Sequence, residues 1–241
     1  MKGSDPTLMP HFLTIRSALQ EQIREGLLQP GGKLPAERKL AEAFNTTRIT
    51  LREALVLLEA EGVIYREERR GWFVSPTRMD YDPGSRSHFH EMVKAQGRTP
   101  DTRSLSTETV PAHASLCRLM ELPPLEPVHR IKRLRSIDGR PVLYAEHYLK
   151  PSLFPDILSQ DLNGSMTELY RDKYGYQYGR LRFQIYPTAL VGEAAEALNV
   201  GQGSQGLLII RVNYDQNGQL LDADFEYWRH DAICITADIN G

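Results

Sequence analysis

Three stretches, LPAERKLA at 34–41, TRITLREAL at 47–55 and LEAEGVI at 58–64, decide how the first third of this chain folds. In the first, Pro35 precedes a short helix expected over Ala36–Phe44, with Glu37 in the opening turn, where the helix dipole favours an anion. Leu40 and Phe44 mark its buried face. Asn45-Thr46-Thr47 is a polar cluster able to turn the chain and cap a new helix. That third helix is expected from Thr47 to Glu61. Leu51, Leu55 and Leu58 give it an apolar stripe, and Gly62 stops it.

Outward from this centre, Phe12, Ile15, Leu19 and Ile23 recur at spacings of three and four and define a first helix. Gly26 and Pro30-Gly31-Gly32 break it. Downstream, Val63–Arg66 and Trp72–Val74 read as two short strands around the polar turn Glu67–Gly71. Three helices and a small hairpin make a winged helix-turn-helix, whose third helix can lie in a major groove with its N-terminal residues at base edges. Thr46, Thr47, Arg48, Thr50 and Arg52 cluster at that end. Arg48 suits guanine or phosphate, and the threonines suit phosphates or a thymine methyl. The tip Arg69-Arg70-Gly71 can reach a narrow, negative minor groove. Pattern alone also fits a three-helix bundle with a solvated charged face.

The order and spacing of these stretches over about residues 10–76 resemble the GntR family of regulators. The resemblance implies DNA contacts from Arg38, Arg48, Thr50, Arg52 and the wing at Arg70-Gly71. Ala36 and Thr47 stand where the family usually has Ser, and Arg69 replaces a usual wing glycine.

Composition sets limits on this reading. A chain of 241 residues can form one large domain or two small ones, and 41% apolar with 25% charged residues is ordinary for a globular protein. The net charge is −2. Residues 1–77 hold 11 Lys/Arg against 10 Asp/Glu, leaving 18 against 21 beyond, so any charge for DNA must be placed locally. Met1–Pro6 lacks the apolar run of a secretory signal, and no apolar stretch suits a bilayer, so a cytoplasmic, membrane-free protein is expected. Cys117 and Cys234 are too few for a disulfide framework or a cysteine-rich zinc site.

The expected domains are a reading head at 8–77, a linker at 78–86 and a second domain at 87–241. In the last, helices are expected at Phe89–Gln96, Ala112–Leu122, Ser165–Tyr174 and Glu193–Leu198. Strands are expected at Val128–Ser136, Pro141–Tyr148, Leu181–Tyr186, Leu207–Tyr214 and Leu220–Tyr227. Asp138-Gly139 and Asn217-Gly218 are hairpin signals. Helix, strand, turn, strand thus occurs twice about 80 residues apart. This weak internal repeat predicts an α+β domain, an antiparallel sheet with helices on one side.

Arg133 and Arg135 lie two apart on an expected strand, so they share a face and can clamp a phosphate, phosphonate or sulfate. A solvated outer face fits the same spacing. Glu146 and Glu226 are candidates to receive an ammonium or hydroxyl, or are ordinary surface carboxylates. Ser165 opens a helix and serves as an N-cap or as part of an anion site.

Segments around Phe89, Gly97–Pro100, Arg133–Arg135, Asp138–Pro141, Glu146–Tyr148, Asn163–Ser165 and Phe225–Arg229 resemble the UTRA effector domain of the HutC-type branch, with a chorismate lyase-like fold. That resemblance implies that Arg133, Arg135 and Ser165 hold an acidic group. It implies further that His88 and Phe89 close over it and that Glu146 and Glu226 read the rest. His88 stands where many members have Ser. Thr46–Thr50, Arg69–Val74, Tyr186–Ala189, Asn213–Gln216 and Glu226–Asp231 are similar to the regulators of phosphonate utilisation that respond to 2-aminoethylphosphonate. The resemblance to the GntR family implies a homodimer on a palindromic double-stranded operator.

Three function classes remain: ligand-controlled DNA binding, an enzyme, and a DNA-binding protein whose second domain only dimerises. The enzyme reading lacks support, because no nucleophile motif, metal spacing or phosphate loop occurs. No catalytic residue, metal or cofactor is expected, and His88-x-His90 reads as a surface pair.

Overall fold

The computed structural model describes residues 10–67, 69–85 and 88–238. The expected bounds at 8 and 241, the Met1–Pro6 reading, Glu68 of the wing turn and Arg86 of the linker lie outside the described residues. The chain divides into two compact units with the boundary between Arg78 and Met79.

The first unit is three helices and a hairpin: α1 (His11–Arg24), α2 (Glu37–Ala43), α3 (Arg48–Ala60), β1 (Ile64–Glu67) and β2 (Gly71–Val74). Each lies within a residue or two of its expected span. Ile15 and Leu19 of α1, Leu40 of α2, and Leu51, Leu55 and Leu58 of α3 meet Ile64, Trp72 and Val74 in one apolar core. Thr47 caps α3, its Oγ1 accepting from the Thr50 N–H at 3.2 Å. Backbone pairing of β1 with β2 is antiparallel, and Lys33 adds a bridge to Phe73.

The second unit is built on a six-stranded antiparallel sheet. In chain order its elements are β3 (Met79–Tyr81), α4 (Phe89–Ala95), β4 (Pro100–Pro111), α5 (Ala114–Met120), β5 (Pro127–Ile137) and β6 (Arg140–Leu149). A 3-10 turn at Ile157–Ser159 precedes α6 (Met166–Tyr174), β7 (Tyr178–Leu190), α7 (Gly192–Ala197), β8 (Ser204–Asp215), β9 (Leu220–Arg229) and β10 (Ile233–Ile235). The sheet order is β4-β5-β6-β9-β8-β7. Each half repeats strand, helix, hairpin, and the halves join where β6 pairs β9. The internal repeat is therefore real and mirrored about the centre of the sheet.

Two expectations need correction. Helices cover both faces, not one. Phe89 and Val93 of α4 pack with Leu143, Ala145 and Trp228, and α6 packs over Ile131. Leu116 and Met120 of α5 pack with Tyr148 and Val212, and Ala194 and Ala195 of α7 with Leu134 and Tyr144, on the opposite face. The central strands are buried on both sides and need both covers. The segment 78–86 is not all linker. Met79–Tyr81 forms β3, parallel to β10, because Met79 and Tyr81 are apolar and alternate with Asp80. Both hairpin signals fall at hairpins, and the Asn217-Gly218 turn is built differently from Asp138-Gly139. Asp138 and Gly139 both have positive φ, whereas Gly218 does and Asn217 does not. The Asp215 carboxylate instead accepts the backbone N–H groups of Asn217 (2.8 Å) and Gln219 (2.7 Å).

Candidate functional site

The reading head presents its polar groups around the start of α3. Arg48 and Thr50 lie in the first turn beyond the Thr47 cap. Thr46 Oγ1 lies 3.4 Å from His11 Nδ1. Arg38 donates to Glu42 at 2.8 Å. Arg52 donates to Glu37 at 2.9 Å, and the other Glu37 oxygen accepts from the Trp72 indole at 3.0 Å. Glu37, read from sequence only as a first-turn anion, thus ties α2 to both α3 and the hairpin. The Trp72 hydrogen bond and the Arg52 guanidinium hold its carboxyl below the usual range. At the wing, Arg69 sits at φ 61 and Gly71 at φ 100. Arg70 pairs with Glu67 and lies over the Phe73 ring at 5.3 Å.

In the second unit a cavity of about 50 Å³ opens between the sheet, the start of α4 and the start of α6. Arg133 and Arg135 line it from β5, as their spacing predicts. Ser165, His88, Phe89 and Glu226 line it too. Ser165 is also the N-cap of α6, its Oγ accepting from Glu168 N at 3.2 Å. A neighbouring cavity of about 230 Å³ shares Phe89, Arg135, Arg211 and Glu226.

Glu146 is a correction. It pairs with Lys132 across β5 and β6, whereas Arg133 pairs with Ala145. Directly paired residues share a face, so Glu146 lies on the other side of the sheet. There its carboxylate accepts from the hydroxyls of Tyr144 (3.0 Å) and Tyr148 (2.7 Å). The strand offers His147 to the cavity instead. His90, expected at the surface, also lines the cavity, its Nε2 2.8 Å from Thr102 Oγ1.

The cavity floor is a buried polar lattice. His147 Nδ1 lies 2.6 Å from Asp224 Oδ1, and Asn213 Nδ2 bonds both Asp222 (2.5 Å) and Asp224 (3.0 Å). Arg211 donates to Glu226 at 3.3 Å, and the Trp228 indole donates to the same carboxylate at 3.1 Å. Burial works against the charge on Asp224, but His147, Arg211 and Asn213 offset it and hold the pKa near about 2. Burial, reinforced by Asp224, pushes Asp222 up to about 8. His147, Asp224 and Arg211 escaped sequence reading. The signal was present in Asp222-x-Asp224-x-Glu226, three acids on one face of one strand.

Arg133 is 1% exposed. It donates to the Gly164 carbonyl ahead of α6, yet its Nε and Nη1 have no hydrogen-bond partner. Neither it nor Arg135 forms an ion pair among the described residues. Burial and the adjacent Arg135 pull the Arg133 pKa down to about 9. An anion in the cavity would answer both costs at once.

Comparison with known proteins agrees with this architecture. Residues 13–74 match the family model for bacterial regulatory proteins of the gntR family, and residues 95–233 match the UTRA domain. An uncharacterized HTH-type transcriptional regulator of Escherichia coli, YihL, is 32% identical over 93% of this chain and 95% of its own length. The chain belongs to the GntR family. This GntR-family regulator carries a UTRA effector domain, which implies a DNA operator and a small-molecule effector. The mannosyl-D-glycerate transport/metabolism system repressor MngR of Escherichia coli is 29% identical over 92% of this chain and 90% of its own. The crystal structure of PhnF from Mycobacterium smegmatis shares the fold, with a TM-score of 0.66 and 24% identity over 94% of this chain and 99% of that one. Among the described residues no helix is long and apolar enough to cross a membrane.

Proposed function

We propose that this regulator binds its operator with an affinity set by a small anionic effector, a phosphonate such as 2-aminoethylphosphonate. The acid end is held by Arg133, Arg135 and the N-terminus of α6 at Ser165, with His88 and Phe89 over it. The observation that carries the reading is Arg133: buried, without an ion pair among the described residues, with two nitrogens at a cavity that have no hydrogen-bond partner. Two guanidinium forks suit a tetrahedral anion, and free backbone N–H groups at a helix start add to the attraction.

In this reading Arg48, Thr50 and Arg52, with Arg38, Thr46 and Thr47 beside them, meet the major groove, and Arg69, Arg70 and Gly71 the minor groove. A homodimer in the cytoplasm occupies two half-sites of a palindrome near genes for phosphonate uptake or breakdown. The effector acts by binding one arrangement of the dimer more tightly than another. A second reading keeps the same site and gives it a sugar phosphate or sugar-derived carboxylate. The mannosyl-D-glycerate repressor among the relatives favours it.

The test is fluorescence anisotropy on the DNA upstream of the gene, titrated with 2-aminoethylphosphonate at fixed salt, because phosphate contacts make affinity salt-dependent. A change in affinity that inorganic phosphate does not produce is expected. DNA binding without a response would remove the phosphonate and bring sugar phosphates forward.

A further inference from the structure

If the cavity holds an acid on Arg133 and Arg135, as the reading above has it, something must read the rest of the molecule. Of the two glutamates expected for that task, one is out of reach and the other already accepts on both oxygens. Glu146 is on the far face with its oxygens engaged by two tyrosines. Glu226 is 1% exposed, one oxygen taken by Arg211 and the other by the Trp228 indole.

We propose that His147 is the specificity residue of this site: its Nε2 accepts a hydrogen bond from an ammonium or hydroxyl of the bound acid. His147 lines the cavity and is 4% exposed, and its Nε2 is buried without a hydrogen-bond partner. The tautomer follows from the other side of the ring. Nδ1 faces Asp224 at 2.6 Å, and an ionised carboxylate only accepts, so the proton belongs on Nδ1. Asn213 Nδ2, 3.0 Å from the second Asp224 oxygen, keeps that carboxylate in place. A neutral ring with its proton on Nδ1 presents a bare lone pair at Nε2. Burial lowers the His147 pKa against the pull of Asp224, and Arg133 and Arg135 also oppose a further cation beside them. The floor therefore offers donors at the arginines and an acceptor without a hydrogen-bond partner at the histidine. Arg133 pairs with Ala145, two residues before His147, so the two lie diagonally on one face, about 7–8 Å apart at the backbone. The acid and the donor must then belong to one small molecule, an amino acid-like zwitterion or a hydroxy acid.

Two measurements on the full chain test this. The first is two-bond proton–nitrogen correlation NMR of protein carrying 15N-histidine at pH 7.5, with the His147 signal assigned by its loss in His147→Gln. A protonated Nδ1 and a pyridine-type Nε2 are expected; the reverse tautomer or an imidazolium would overturn the proposal whatever the effector is. The second is calorimetry with 2-aminoethylphosphonate and with ethylphosphonate, which lacks only the amine. The parent is expected to prefer the amine by about tenfold or more. In His147→Leu the preference should fall to about one, while ethylphosphonate binding changes less than about threefold. An unchanged preference in that variant sinks the proposal. Should His147→Leu not fold, the ratio is read in His147→Gln, where a fall of about threefold or more is expected. A parent that binds neither phosphonate removes the phosphonate reading alone, and the nitrogen spectrum then decides about His147.

Discussion

The groups assigned to DNA and the groups assigned to the effector sit in opposite electrostatic surroundings. In the reading head the side chains of Arg38, Arg52 and Arg70 are 64%, 62% and 68% exposed, although of their partners only Glu42 is comparably exposed and Glu37 and Glu67 are half-buried. Its interior is apolar. In the effector domain Arg133, His147, Asp222, Asp224 and Glu226 are all buried. Exposed ion pairs contribute little and release their arginines easily to a phosphate. Buried charges are costly unless partnered, so their arrangement has to be specified by the fold. Changes in the head should therefore separate function from stability, and changes to the hydrogen-bonded acids beneath the cavity should not.

The largest expected effect is on pH dependence. Burial and the neighbouring Asp224 push the Asp222 carboxyl of the folded protein well above its unfolded value of about 3.9. Between the two values the folded state holds a proton the unfolded chain has lost, so Asp222 makes the effector domain less stable as pH rises through this window. Asp222→Asn should flatten that decline in thermal unfolding measured from pH 4 to 8. An unchanged slope would place the buried proton elsewhere.

Next comes Arg133→Gln with Arg135→Gln. Hydrogen bonds to charged groups contribute about 1.5–3 kcal/mol each, so losing both guanidiniums should weaken effector binding at least about a hundredfold. Operator binding and dimerisation should persist, and the ligand-free melting temperature should not fall, because two cations without an ion pair among the described residues leave, Arg133 buried and Arg135 half-buried. A preserved effector response would move the site away from β5.

Arg48→Ala should cost operator affinity about 10- to 100-fold through one lost base or phosphate contact, at about 1–3 kcal/mol. The melting temperature should barely move, as for other exposed positions. A large fall in stability would erase the contrast between the two units.

The smallest effect is expected from Arg69→Gly. Relief of a left-handed backbone should add no more than about 1 kcal/mol to the head. If Arg69 touches a phosphate, binding weakens uniformly across sequences and the salt slope drops by about 1. Equal salt slopes would leave Arg69 as a strained wing residue only.

The reading head was almost fully legible in the residues. Its helices carry period-three-and-four apolar stripes, its stops are glycines, and its polar cluster is contiguous in the chain. Most hairpin strands of the effector domain were legible too. The edge strand β4 was not, because PDTRSLSTETVP lacks the apolar alternation of a half-buried strand. Edge position explains it: β4 pairs on one side only and is exposed along most of its length. The site was half legible. Arg133 with Arg135 followed from a spacing of two within one strand. Glu146 was misplaced because its relation to them depends on the register between two strands.

Local pattern by itself determined most element types, the Thr47 cap and the shared face of the two arginines. Each of these depends on neighbours within a few residues, where helix and strand geometry is fixed. Tertiary structure alone decided that both sheet faces are covered, that His147 and not Glu146 meets the cavity, and that Glu37 joins α2, α3 and the wing. Those depend on strand register and on packing between segments far apart in the chain. A one-residue change of register reverses every side chain on a strand, and no local pattern records it.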